Sequence, residues 1–160
     1  GRQSINENKQ MMNTQKIIIR ILTGMLALVI AFHFLIFFKI IPFNIVWGGR
    51  LQSEQEMYMF EGVSIILNLL LIWILSLKAK NVNRKYVDII LWIFFIIFSL
   101  NTIGNLFAQT NFEKYFSILT LIFALLLWKI LREKNEEQLT TKRNQRLSEP
   151  KTDSELHGTK

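Results

Sequence analysis

The sequence predicts an all-α protein, an integral membrane four-helix bundle with both termini on the cytoplasmic side (N-in/C-in) and a disordered cytoplasmic C-terminal tail. Three observations predict it. Hydrophobic residues make up 51% of the 160, against 2 Pro and 7 Gly. They fall in long blocks instead of mixing with polar residues at a helix or strand period. The charged residues lie mostly between those blocks, and the basic ones favour one side.

A helix needs about 20 mainly apolar residues to cross a hydrocarbon core. Four segments come close to that length, 17–38, 57–77, 87–108 and 115–131. Inside lipid each must satisfy its own backbone hydrogen bonds, so helix overrides the strand preference of the many Ile and Val residues. The first span follows a polar segment, 1–16, in which Met11 or Met12 is the expected natural start. That span is too long for a signal-peptide core and has no small-residue cleavage site after it. The fourth is the shortest, but it is apolar from Phe116 to Trp128 apart from Ser117 and Thr120. Residues 132–160 turn polar. They are expected to prolong the fourth helix and then to lose order beyond Glu149, where too little apolar surface remains to offset ordering entropy.

Basic residues set the orientation. Arg2, Lys9, Lys16 and Arg20 mark the start of span one. Lys78, Lys80, Arg84 and Lys85 lie between spans two and three, and Lys129, Arg132, Lys134, Lys142, Arg143 and Arg146 follow span four. The opposite side holds only Lys39, Arg50 and Lys114. The basic side is therefore expected in the cytoplasm. Richness in Ile, Lys and Asn suits a bacterial inner membrane. Trp73, Trp92 and Trp128 near the cytoplasmic ends, with Trp47 in the outer loop, fit an aromatic belt.

A net charge of +7 could suggest nucleic acid. The basic residues flank apolar blocks, however, which points to lipid headgroups, so no nucleic-acid partner is expected. With no Cys, disulfides, thiolate metal sites and cysteine nucleophiles are excluded. The two histidines, His33 and His157, are far apart in the chain, and neither a metal nor a cofactor is expected.

Polar side chains inside spans are costly, and they are the main functional signal here. Glu61 lies about 6 Å inside the outer end of span two, with Ser64 and Asn68 on the same helix face. Span three runs the other way and places Asn105 and Asn101 roughly 5 and 10 Å deep. His33 lies about five residues before the outer end of span one. Three helices thus bring polar groups to one depth in the outer half of the bilayer. The plainer reading of the asparagines is interhelical glue, worth about 0.6 kcal/mol per bond. Glu61 needs a partner or a proton, and Arg50 in the outer loop is the expected counter-ion. That loop also carries Pro42, expected to stop span one, and Gly48-Gly49, expected to turn Trp47 and Arg50 over the bundle. Its plainer role is an interfacial anchor through Trp47.

The expected ligand-binding set is therefore Glu61, His33, Asn101, Asn105, Asn68, Arg50 and Trp47. The expected function is non-enzymatic: membrane lipids around the chain, and a polar pocket that binds a small amphiphile or docks another membrane protein. The alternative is an oligomeric transporter or channel using Glu61 as a proton or cation site. Against it, the cytoplasmic halves of the spans hold few polar residues to continue a path. A membrane enzyme is the least supported, since no nucleophile or metal set accompanies Glu61 and His33. Small residues Gly24, Ala27 and Ala31 form a stripe through which copies of the chain could associate. No span carries the motif of a known membrane family, so no residue role is transferred from one.

Overall fold

The computed structural model describes residues 2–80, 82, 85–108 and 110–148. Among them there is no strand. Four long helices, α1 (Arg2–Phe37), α2 (Glu54–Ala79), α3 (Lys85–Leu106) and α4 (Asn111–Ser148), account for most of the chain. All four are long and apolar enough to cross a membrane. The disorder expected beyond Glu149 lies outside the described residues.

α1 at its start and α2 and α4 at both ends run past the expected spans, α3 keeps the length of the expected 87–108 but starts and ends earlier, and the ends are set by local chemistry. α1 absorbs nearly all of the polar segment 1–16, since between Arg2 and Phe37 there is no Pro and only Gly24 to interrupt it. Its end is a Schellman motif at Lys39, which takes φ +60. The Ile40 amide returns to the Leu35 carbonyl at 2.8 Å and the Lys39 amide to the Ile36 carbonyl at 2.8 Å. The helix is thus closed three residues before Pro42, which was the expected stop. At the start of α2 the Ser53 hydroxyl accepts the Glu56 amide, and the Glu56 carboxylate accepts the Gln52 amide at 2.9 Å. α4 opens on Thr110, whose hydroxyl accepts the Glu113 amide and donates to the Glu113 carboxylate at 2.8 Å.

α1 packs mainly on α2, and α3 mainly on α4, with far less contact between the two pairs. Where the pairs do close, they do so near the chain termini. Leu22 and Leu26 of α1, Leu71, Ile74 and Leu75 of α2, Leu91 of α3 and Leu127 and Ile130 of α4 are all fully buried in one core. The Gln15 amide reaches the Ile130 carbonyl, and Lys78 pairs with Asp88 at 2.8 Å across the α2–α3 connection. A second, smaller core at the opposite end joins Ile36, Val46, Leu51 and Met57, and fixes the 38–53 loop onto α1 and α2. Between the two cores the helical pairs stand apart.

Gly24, Ala27 and Ala31 all lie on the exposed face of α1. A Cβ added at Gly24 would meet nothing within 4 Å. The small-residue stripe is therefore not used within the chain.

Candidate functional site

The gap between the pairs is a cavity of about 640 Å³ lined by all four helices and the 38–53 loop. Each helix contributes a face at helical spacing. α1 gives Val29, Phe32, His33 and Ile36, α2 gives Glu61, Ser64 and Asn68, α3 gives Phe94, Ile97, Asn101 and Asn105, and α4 gives Phe112, Phe116, Thr120 and Phe123. The lining is mostly apolar with a few converging polar groups, which is the usual make-up of a small-molecule site.

Glu61 is the most deeply placed of the charged groups, with 0% of its surface exposed. One carboxylate oxygen accepts from Trp47 Nε1 at 2.8 Å, and the other contacts His33 Nδ1 at 2.6 Å. A buried carboxyl held by two ring nitrogens is satisfied locally. Arg50 also lines the cavity but is exposed, and no described residue pairs with its guanidinium. The counter-ion expected for Glu61 is therefore replaced by an indole and an imidazole. The loop holds two short 3-10 turns, Phe43–Ile45 and Trp47–Gly49, and the second begins at Trp47. Trp47 itself takes φ 56, and Gly49 φ 66. A left-handed Trp costs on the order of 1–3 kcal/mol. A tilted ring contact with Phe60, centroids 5.0 Å apart, and the bond to Glu61 hold it there.

The three asparagines do not act as interhelical glue. Asn68 donates back to the Ser64 carbonyl of its own helix at 2.7 Å. Neither Asn101 nor Asn105 forms a side-chain hydrogen bond among the described residues, and both line the cavity. The bond that does join α3 to α4 runs between the buried Thr102 and Thr120 hydroxyls at 2.9 Å. All seven residues expected from the sequence line the cavity.

Other lining residues were not foreseen. Phe32, Phe112 and Phe116 form a wall with ring centroids 5.1–5.8 Å apart, and Phe98 stacks on Phe123 at 4.8 Å. The i, i+4 spacing of Phe112 and Phe116 was the available signal, but phenylalanine in a span reads equally well as a lipid-facing residue. Glu113 is buried and lines the cavity, and its carboxylate accepts from the hydroxyl of Thr110, which caps α4. Its spacing from Thr110 spells a capping box. Glu61 and His33 offer one carboxylate and one imidazole, and no described residue completes a set of three acids or imidazoles for a metal ion.

The cavity is closed on one side and open on another. Its lining residues on α1 and α4 are buried or half-buried, whereas Phe60, Val63 and Leu67 of α2 and Asn101 and Gly104 of α3 are exposed. The mouth therefore lies between α2 and α3, which meet far less than the helices within each pair. No protein-family model matches the chain, and no curated protein or solved structure matches it. Its functional reading rests on this geometry.

Proposed function

We propose that this chain is a non-enzymatic multi-pass membrane protein whose cavity takes up a single-chain amphiphile from the outer leaflet, through the α2–α3 mouth. One observation carries the reading: an aromatic-lined cavity opens sideways, at a level where the flanking helices are lipid-facing, and not along the helix axes. An apolar tail can enter without crossing water, while the polar groups near the 38–53 loop sit at headgroup depth. Saturable binding of a fluorescent fatty-acid probe to the purified chain, displaced by unlabelled lysolipid, is the expected result. Binding that never saturates would sink the proposal.

The same reading places the helices as a bundle with both termini in the cytoplasm, supported by the basic-residue asymmetry. Cysteines replacing Ser53 or Asn111 should be labelled by an impermeant maleimide in intact cells, and one replacing Lys80 should not. Labelling at position 80 would invert the orientation and move the mouth to the inner leaflet.

Transport by the chain alone is disfavoured. Below the cavity all four helices meet in the large apolar core of Leu26, Leu71, Leu91 and Leu127, which sets hydrocarbon between the cavity and the opposite end.

A further inference from the structure

We propose that the amphiphile is headed by an anionic phosphate ester, with its phosphate on Arg50 and its ester on the Asn105 and Asn101 amides. This rests on the reading of the cavity as an amphiphile site. The polar lining changes character with depth. Outermost is Arg50, on the loop beyond the helix ends, exposed and paired with no described residue. A guanidinium presents a planar fork of donors that matches phosphate bidentately, and it stays ionised at any physiological pH.

Glu61 forms no ion pair with Arg50, and its two oxygens contact Trp47 and His33 instead. Below the rim come Asn105 and then Asn101, separated by about 6 Å along α3. Their side-chain amides have no partner among the described residues and offer donors to a carbonyl or hydroxyl. About 10 Å deeper than Asn101, Phe94 closes the floor with Phe98 and Phe123. Charge, then hydrogen-bond donors, then aromatic hydrocarbon is the order of phosphate, ester and acyl chain in a glycerophospholipid. A cationic head would meet Arg50 first and be repelled. A neutral head would leave the guanidinium without its natural partner.

The full chain in detergent, loaded with the fluorescent fatty-acid probe, tests the proposal through three competitors of equal chain length. They are lysophosphatidic acid, monoacylglycerol, which keeps the ester and lacks the phosphate, and the free fatty acid. Lysophosphatidic acid should displace the probe at concentrations at least about tenfold below either of the others. In Arg50→Gln its advantage over monoacylglycerol should disappear, with monoacylglycerol itself unaffected and the melting temperature unchanged. Equal displacement by lysophosphatidic acid and monoacylglycerol, or an advantage that survives Arg50→Gln, would overturn the phosphate assignment while leaving the amphiphile reading intact. A free fatty acid as potent as lysophosphatidic acid would overturn the ester assignment. Failure of the probe to bind at all would remove the cavity reading itself.

Discussion

Replacing Glu61 by Leu should destabilise the protein by about 1–3 kcal/mol for each hydrogen-bonding partner left buried without an acceptor. Two partners lose their acceptor, the half-buried His33 ring and the indole N–H of Trp47, which is 38% exposed, so the larger share of the loss falls on His33. The loss should appear as a large drop in melting temperature, with the 38–53 loop becoming sensitive to protease. Glu61→Gln separates shape from charge. The amide oxygen can still accept from Trp47, and its NH₂ can donate to His33 in the other tautomer, so both bonds persist. That variant should lie within about 1 kcal/mol of the parent, the scale of one net hydrogen bond. If Leu at position 61 were as stable as Glu, the carboxylate would not be the fastening point of the loop.

The second large effect concerns access. Val63 lines the mouth from α2 and is 50% exposed, so an indole there would project across the opening toward Asn101 and Gly104. Val63→Trp should weaken probe binding by at least tenfold, about 1.4 kcal/mol, with stability unchanged because nothing packed is displaced. Leu69 supplies the control. It lies on the same helix at 52% exposure but does not line the cavity, and Leu69→Trp should bind the probe like the parent. Equal weakening by both would mean that entry does not occur between α2 and α3.

The existence of four apolar helices was legible because their blocks match hydrocarbon thickness. The run of α1 back through the polar segment was not, since that thickness measures the lipid and not the helix, whereas the continuation of α4 was expected from the sequence and α3 has the length of its expected span. α1 runs back to Arg2 and α4 on to Ser148 because nothing in those stretches breaks a helix. At the site, the common level of His33 and Glu61 could be read from residue counts alone, and the two side chains do meet. That Trp47 and not Arg50 would reach Glu61 depended on a left-handed backbone at a tryptophan, which no propensity suggests. The asparagines were visible as polar residues at depth. Whether they faced a helix or a void depended on how far apart the two pairs stand, a property of packing that one sequence does not display.

The division into two pairs has a consequence for how the chain enters the bilayer. His33, Trp47 and Glu61 all belong to α1, α2 and the loop between them. The Thr102–Thr120 bond likewise lies wholly within α3 and α4. Each hairpin therefore leaves the insertion machinery with these polar groups already matched inside itself. The partners of the carboxyl group do not depend on the second half of the polypeptide. Among the described residues, the bonds that bridge the hairpins are Lys78 with Asp88 and the Gln15 amide with the Ile130 carbonyl, and both lie where the hairpins close at the end of the molecule that holds the termini.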